Sequence, residues 1–356
     1  MAKHENLNSL FTGIANAIRS KTGSTDPIVA DNFPSEIASI STGFPNGTEW
    51  TQSNIVTGYF NSVYNANGIW VAGRNSNGLC YSPDGITWTQ SNITSGSFYF
   101  VYNANGIWVA GSNSNKGLYY SPDGMTWTQS NITSGYFYCL YNANGIWVAG
   151  SNRDKGLYYS PDGMTWTQSN ITSDDFYSVH NANGIWVAGG HSNNGLYYSP
   201  DDMTWTQSNI TTGNFYCLYN ANGIWVAGSN SNKGLYYSPD GMTWTQSNIT
   251  SGSFPGLYNA NGIWVAGGYK GLYYSPDGMT WTQSNITSDD FNSVHNANGI
   301  WVAGSNSNGL YYSPDGMIWT RSNIASGSFS CLHNANGIWV AGGFNGLYYS
   351  ISWRPS

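Results

Sequence analysis

The acidic residues that could take part in catalysis or hold a cation include two adjacent pairs, Asp174/Asp175 and Asp289/Asp290. Both pairs lie at the same point of an internal sequence repeat, three repeats apart. Hydrolysis of a glycosidic bond requires two carboxyl groups that face one bond, and Ca²⁺ requires about six to eight oxygen ligands. One pair in one loop provides neither. We interpret these residues as solvated loop acids and keep a Ca²⁺ site completed by carbonyl oxygens as the alternative.

The histidines and cysteines of the repeats stand where other repeats have unrelated residues. Three histidines replace a tyrosine, and three cysteines share a position with serine and glycine. We interpret them as half-buried strand residues and small buried thiols, and not as metal ligands, disulfide partners or nucleophiles. The sequence therefore predicts no metal and no cofactor. The two sets are His180, His295 and His333, and Cys139, Cys217 and Cys331.

The composition of the 356 residues excludes several classes of protein. Only 8% of the residues are charged and 16% are aromatic, whereas about 25% charged residues is usual. A net charge of -7 without a basic cluster argues against nucleic-acid binding. No apolar run is long enough to cross a membrane, and the N-terminus lacks the apolar core of a signal peptide.

A repeat determines the predicted architecture. The sequence Asn-Ala-Asn-Gly-Ile-Trp-Val-Ala-Gly occurs eight times, at steps of 37 to 39 residues. Each repeat contains four short apolar runs separated by turn sequences such as Asn-Gly and Asp-Gly, in which glycine accepts a positive φ. A period of about 40 residues with four strands is typical of β-propeller blades. The sequence therefore predicts an all-β fold, an eight-bladed propeller over residues 46–356.

The two ends of the repeat array predict how the ring closes. A lone strand, Trp50–Ser53, precedes the first repeat, and the last repeat degenerates at Ile351. Pairing both ends in one blade would remove the exposed strand edges. Before the propeller, Leu7, Leu10 and Ile14 fall at helical spacing, so we expect a helical segment over residues 1–45. It is too short to form its own core, and we expect it to dock on the propeller, on its own copies or on a larger assembly.

The turn Ser121–Trp127 resembles the Asp-box of sialidase-like propellers and recurs in most repeats, one residue shorter than the family pattern. The resemblance implies a propeller in which this aspartate shapes a turn and takes no part in chemistry. Sialidases use three arginines on the substrate carboxylate, a Tyr/Glu nucleophilic pair and an Asp acid/base. This propeller has four arginines without a shared blade position and a single glutamate, Glu49. We therefore expect no enzyme activity.

The N-terminal segment resembles the start of tail and tail-fibre proteins of phages that infect Gram-positive bacteria. The matching pieces are Ile14–Arg19, Lys21–Gly23 and Asp31–Pro34. The resemblance implies a virion appendage or a prophage product, held to other tail proteins through residues 1–45 and found in the virion or in the bacterial cytoplasm before release. Six Asn-Ile-Thr triplets match the glycosylation acceptor pattern, and in this setting we expect them to be unmodified.

Two variable patches interrupt the otherwise uniform repeats. Up-and-down strand connectivity places both patches on one face of the disc, around the axis. The side chains of this face include tyrosine, asparagine, serine and aspartate. This palette suits adaptable binding surfaces, so we expect a lectin-like adhesin for bacterial surface glycans; the alternatives are neutral drift of the loops and a scaffolding propeller of the virion. The residues are Tyr59, Ser97, Tyr136, Asp174, Asn214, Ser253, Asp289 and Ser328 in the first patch, and Asn75, Asn113, Asn152, His191, Asn230, Tyr269, Asn306 and Phe344 in the second.

Overall fold

The computed structural model describes residues 47–153 and 156–351. Within these ranges, 32 strands form eight antiparallel four-stranded sheets. The first strand of each sheet contacts the first strands of the neighbouring sheets around a complete ring. The predicted eight-bladed β-propeller is thereby confirmed. The predicted helical segment over residues 1–45 lies outside the described residues. No helix long and apolar enough to span a membrane occurs in the part of the chain that the structure describes.

The blades follow one another along the chain, each running from the axis outwards. Blade 1 contains β2 (Phe60–Ala66), β3 (Ile69–Arg74), β4 (Leu79–Ser82) and β5 (Thr89–Gln90). Blade 2 contains β6 (Phe98–Ala104), β7 (Ile107–Ser112), β8 (Leu118–Ser121) and β9 (Thr128–Gln129). Blade 3 contains β10 (Tyr136–Ala143), β11 (Ile146–Asn152), β12 (Leu157–Ser160) and β13 (Thr167–Gln168). Blade 4 contains β14 (Phe176–Ala182), β15 (Ile185–Gly190), β16 (Leu196–Ser199) and β17 (Thr206–Gln207).

The remaining blades repeat this order. Blade 5 contains β18 (Phe215–Ala221), β19 (Ile224–Ser229), β20 (Leu235–Ser238) and β21 (Thr245–Gln246). Blade 6 contains β22 (Gly256–Ala260), β23 (Ile263–Gly268), β24 (Gly271–Ser275) and β25 (Thr282–Gln283). Blade 7 contains β26 (Phe291–Ala297), β27 (Ile300–Ser305), β28 (Leu310–Ser313) and β29 (Thr320–Arg321). Blade 8 contains β30 (Phe329–Ala335), β31 (Ile338–Gly343), β32 (Gly346–Ile351) and, as its outermost strand, β1 (Thr51–Gln52).

Blade 8 closes the ring with strands from both ends of the described chain. Thr51 pairs with Tyr349 and Gln52 with Tyr348, antiparallel. This pairing confirms the predicted closure. It covers the outer edge of β32, which would otherwise present unpaired backbone groups.

The core of each blade lies between two neighbouring sheets, which explains why the strands are apolar on both faces. In blade 1, Val71 and Ala72 of the second strand are fully buried. Gly73 follows them because a Cβ there would lie 2.7 Å from the carbonyl oxygen of Phe98 in blade 2. In the sequence Trp-Val-Ala-Gly, the first three residues therefore fill the core, and the glycine lets the backbones of neighbouring blades approach each other closely.

A pair of hydrogen bonds joins each blade to the next near the outer rim. An asparagine Nδ2 donates to the backbone carbonyl of a tryptophan in the next blade, and its Oδ1 accepts from the N–H of the same tryptophan, at 2.8–3.0 Å. These asparagines include those of the six Asn-Ile-Thr triplets, so each acceptor amide is already engaged in the fold. The pairs are Asn54–Trp88, Asn92–Trp127, Asn131–Trp166, Asn170–Trp205, Asn209–Trp244, Asn248–Trp281, Asn285–Trp319 and Asn323–Trp50.

The aspartate of the Ser-Pro-Asp-Gly turn builds the turn itself. In blade 1, Oδ1 of Asp84 accepts hydrogen bonds from the Ser82 hydroxyl and from the N–H groups of Ile86 and Thr87, at 2.7–2.8 Å. The prediction that this residue shapes a turn is confirmed by these bonds. They also occupy the carboxylate, since three donors converge on one of its oxygens.

A candidate ligand-binding face around the propeller axis

The two variable patches adjoin within each blade. The hairpin between the second and third strands donates a backbone hydrogen bond to the segment that leads into the inner strand: the N–H of Asn75 binds the carbonyl of Tyr59 at 2.8 Å, and the N–H of Phe344 binds that of Ser328 at 3.0 Å. The same bond joins Asn113 to Ser97, Asn230 to Asn214 and Tyr269 to Ser253, and Tyr136 pairs with Asn152 in the strand ladder. We call this surface the variable face.

Blades 4 and 7 require a correction to the sequence alignment. Their hairpins, through His191 and Asn306, bind the carbonyls of Asp175 and Asp290. These two residues therefore correspond to Tyr59, whereas Asp174 and Asp289 stand one position earlier, where the other blades have glycine. The prediction was wrong in register because two acids follow each other at this point.

The acids are also less solvated than the sequence suggested. Asp175 is 7% exposed and Asp289 is 9% exposed, so the prediction of solvated loop acids is wrong for both. Asp289 accepts hydrogen bonds from the Tyr311 hydroxyl and, at 2.6 Å, from Nδ2 of Asn308, and Asp174 accepts one from the Tyr197 hydroxyl at 2.6 Å. Among the described residues, no group of three or more His, Cys, Asp or Glu side chains is arranged to hold a metal ion.

The second residue of the inner strand, counted from its phenylalanine, points to the axis. In blade 1 the ladder pairs Phe60 with Arg74 and Ser62 with Gly73, so Asn61 between them is a β-bulge without a partner. Bulges redirect a side chain and commonly lie next to functional sites. The same bulge occurs in blades 2, 3, 4, 5, 7 and 8. Blade 6 has Pro255 at this position, and its strand begins one residue later.

Blades 2 to 5 carry tyrosine at this bulge. Tyr99, Tyr138, Tyr177 and Tyr216 form a continuous stack with ring centroids 5.0, 4.3 and 4.6 Å apart. His191 packs on Tyr177 at 4.3 Å, and Nδ2 of Asn152 donates to the Tyr177 hydroxyl at 2.7 Å. We call these four residues the tyrosine arc and their blades the arc half.

Blades 6, 7, 8 and 1 carry smaller residues at the same position, namely Pro255, Asn292, Ser330 and Asn61. They surround an axial cavity of about 290 Å³ together with neighbouring residues of the inner strands, among them Val63, Leu257 and Val294. The lining contains no Asp, Glu, His, Lys or Arg. We call these four blades the open half.

Two thiols contribute to the wall of the cavity, Cys217 and Cys331. Burial raises the pKa of each to about 12. Cys331 is buried, as are Cys80 and Cys139, whereas Cys217 is partly exposed. The prediction of buried thiols is therefore confirmed for Cys139 and Cys331 and corrected for Cys217, although its raised pKa also keeps it protonated near neutral pH.

The hairpins of the second and third strands are longer on the arc half than on the open half. Loops of four residues cover blades 2 to 5, loops of three residues cover blades 1 and 7, and loops of two residues cover blades 6 and 8. The longest hairpins therefore lie in the blades whose bulge residue is tyrosine. The closing pairs are Ser112–Gly117, Ser151–Gly156, Gly190–Gly195 and Ser229–Gly234, then Arg74–Gly78 and Ser305–Gly309, then Gly268–Gly271 and Gly343–Gly346.

The two shortest hairpins carry exposed aromatic rings and belong to blades that border the cavity. Tyr269 in blade 6 is 44% exposed and Phe344 in blade 8 is 65% exposed. The ring of Tyr59 meets that of Phe344 edge to face at 6.2 Å, and its hydroxyl lies 2.7 Å from Oγ of Ser330 in the cavity wall. Phe344 is therefore connected to the cavity through one ordered side chain.

Nearer the opposite face, eight aromatic side chains surround the axis in a closed ring. Neighbouring ring centroids are 4.4–5.8 Å apart. The three histidines are partly buried, as predicted, and burial lowers the pKa of His180 and of His295 to about 4. For His333, burial and then the neighbouring His295 lower the pKa to about 3. The ring consists of Tyr64, Tyr102, Tyr141, His180, Tyr219, Tyr258, His295 and His333.

The sequence patterns did not predict the division of the variable face into two halves. The signal is present in the sequence: the residue directly after the first phenylalanine of each repeat is tyrosine in four consecutive blades and a smaller residue in the other four. It was missed because the repeats were aligned on a loop position that shifts by one residue in blades 4 and 7.

Comparisons with known proteins identify the fold and no family. No protein-family model matches the sequence, and no curated protein matches it either. Among solved structures, the chain is similar to the computationally designed Ika8 protein, with a TM-score of 0.69, 12% identity, and coverage of 86% of this chain and 100% of that one. It is also similar to Sqt1 of Saccharomyces cerevisiae, with a TM-score of 0.64, 11% identity and coverage of 87% and 100%. YCF48 bound to a D1 peptide gives a TM-score of 0.55, 15% identity and coverage of 87% and 96%.

Proposed function

We propose that this protein is a non-catalytic, lectin-like adhesin that recognises bacterial surface glycans through its variable face. The observation that carries the proposal is the arrangement on the open half, where four blades border a cavity with asparagine and serine in its lining and two of them carry exposed aromatic rings. The resemblance of residues 1–45 to phage tail proteins assigns the protein, within this proposal, to a tail appendage of a phage or prophage.

The chemistry of the open half suits carbohydrates. Aromatic faces pack against the C–H surfaces of sugar rings, and amide and hydroxyl groups exchange hydrogen bonds with sugar hydroxyls. Tyrosine, asparagine and serine provide such contacts in adaptable binding surfaces generally. Phe344 and Tyr269 offer exposed rings, while Asn61, Asn292 and Ser330 offer polar groups within the cavity.

Non-catalytic binding is favoured by the position of the ionisable groups. Each of the three arginines among the described residues has its own local contact. Arg74 donates to Gln90 at 3.0 Å, and Arg153 lies 3.9 Å above the ring of Tyr136. Arg321 donates to Tyr311. They belong to blades 1, 3 and 7 and do not converge on one carboxylate site. The cavity itself provides no carboxyl pair for glycoside hydrolysis.

The test is binding of the full chain to a glycan array and to cell-wall polysaccharides from Gram-positive bacteria. We expect the double variant Tyr269→Ala/Phe344→Ala to lose about tenfold or more in affinity, because aromatic residues at the centre of a site commonly dominate binding. Ile318→Ala is the matched control, since Ile318 is 59% exposed and lies in a turn of the opposite face. Its binding should equal that of the native chain.

Three results would contradict the proposal. Absence of binding to every glycan and wall fraction would exclude the adhesin. Co-purification with tail proteins without any binding to cells or sugars would favour a scaffolding propeller in its place. Turnover of a sialoside or a wall polysaccharide would contradict the non-catalytic assignment.

A further inference from the structure

We infer that the open half forms one ligand site per chain, which takes a single uncharged oligosaccharide with one sugar unit in the axial cavity and the next on the ring of Phe344. The inference rests on the proposed function and narrows it. Eight homologous blades would suggest eight equivalent weak sites, and the described side chains point instead to one.

The side chains at the bulge break the eightfold repetition. On the arc half, each tyrosine ring packs against the next, with centroids 4.3–5.0 Å apart, so the four large side chains occupy the axial side of these blades. On the open half, the residues at the same position leave the cavity. Because all four of these residues border one cavity, they form a single site and not four separate ones.

The size of the cavity limits what it can hold. Pockets for drug-sized ligands are about 300–1,000 Å³, and this cavity has about 290 Å³. That volume suits one ring-sized unit of a longer chain. The rest of the ligand must leave through the mouth, where the hairpins of blades 6 and 8 are the shortest on the face.

The way out leads past an aromatic platform. Ser330 in the wall of the cavity is hydrogen-bonded to the hydroxyl of Tyr59, and the ring of Tyr59 supports Phe344 edge to face. The face of Phe344 is left open, since the residue is 65% exposed. A sugar unit adjacent to the one in the cavity would therefore meet an aromatic surface suited to its C–H groups.

The absence of ionisable partners in the cavity selects for an uncharged unit. Its lining has no cationic side chain for a carboxylate or phosphate and no carboxylate for an amine. A charged group in the cavity would give up part of its hydration without gaining an oppositely charged partner. In blade 7, Asp289 binds Tyr311, which in turn accepts from Arg321.

The decisive variant is Asn292→Tyr. It places in blade 7 the residue that blades 2 to 5 already carry at this position, so the propeller accepts it, and it fills the cavity. Met203→Tyr is the matched control: it adds a tyrosine at a side chain that is 47% exposed and lies in a turn of the opposite face. Thermal unfolding of both variants, compared with the native chain, shows whether each is folded.

The probes are tetrasaccharides of glucose, galactose and N-acetylglucosamine, with sialyllactose and polyglycerol phosphate as charged members, measured by calorimetry on the full chain. We expect at least one neutral member to bind with a stoichiometry of one per chain. Asn292→Tyr should weaken that binding by about tenfold or more, and Met203→Tyr should leave it within about twofold.

The outcomes separate this inference from the proposed function. A stoichiometry above one, a preference for the charged probes, or full binding by folded Asn292→Tyr would overturn the single uncharged site and leave an adhesin standing. If wall polysaccharides bind but every neutral tetrasaccharide fails, the inference is also wrong. If neither binds, the proposed function fails with it.

Discussion

The arc half and the open half of the variable face are built on one backbone, yet they offer different surfaces. Both halves have the hairpin-to-strand hydrogen bond and, outside blade 6, the same bulge in the inner strand. They differ in the bulge residue and in hairpin length. In the arc half, longer loops accompany four tyrosines that pack one against the next; in the open half, shorter loops accompany small residues that border a cavity. A repeated fold can thus acquire one distinct site through a few substitutions and shortened loops.

Acid provides the largest expected difference between the halves, because two of the three ring histidines, His295 and His333, adjoin in the open half. Their pKa values are lowered below 6.5 by burial, so the unfolded chain takes up protons at higher pH than the folded one. Their contribution to stability is fully present above pH 6.5 and is lost as the pH falls towards 4. The shift of His295 alone corresponds to about 3 kcal/mol.

The measurement is hydrogen exchange of each blade between pH 7 and 4, with urea unfolding at each pH. We expect blades 7 and 8 to lose protection before blades 2, 3 and 5. The double variant His295→Tyr/His333→Tyr restores the ring residue of the other blades and should remove most of the acid sensitivity of the open half. Simultaneous loss of protection in all blades would show that the two halves do not differ in their sensitivity to acid.

The interblade asparagines test whether the two halves share the same frame. Asn131→Ala in the arc half and Asn285→Ala in the open half each remove two hydrogen bonds to a tryptophan backbone. Each should lower the free energy of unfolding by about 2 kcal/mol, because the partly buried N–H and C=O lose their partners. Denaturant unfolding measures both values. A difference of more than about 1 kcal/mol between them would mean that the halves differ in backbone support as well as in side chains.

The aromatic residues of the two halves should separate stability from binding. Tyr177→Ala removes two ring pairs of the arc and should cost about 1.5 kcal/mol of stability while glycan binding persists. Phe344→Ala removes an exposed ring and should change stability by less than about 0.5 kcal/mol while it reduces binding. Thermal unfolding and glycan binding of the two variants, side by side, check this. If Tyr177→Ala abolished glycan binding while Phe344→Ala left it unchanged, the ligand would lie on the tyrosine arc.

Much of the fold follows from local sequence, and the candidate site does not. The repeated turns and the apolar runs specify strands, and the lone strand before the first repeat specifies closure, because these features depend on neighbours in the chain. The cavity depends on which side chains from blades 1, 5, 6, 7 and 8 meet around the axis, so the residue pattern of a single repeat does not show it. The burial of Asp175 and Asp289 was missed for a similar reason: their hydroxyl partners come from the hairpin and the third strand of the same blade, about twenty residues away.

The closure of the ring also determines how the propeller would carry a mechanical load. The chain enters the described fold at the outer edge of blade 8, through a two-residue strand paired with β32 and through the bonds between Trp50 and Asn323 of blade 7. Tension on the N-terminal segment would load these contacts in parallel before it reached any other blade. The cavity borders the inner strands of the same two blades, so an anchor at one end and a ligand at the axis would pull on opposite edges of blades 7 and 8. Adhesion under flow would then be limited by the strength of that single closing seam.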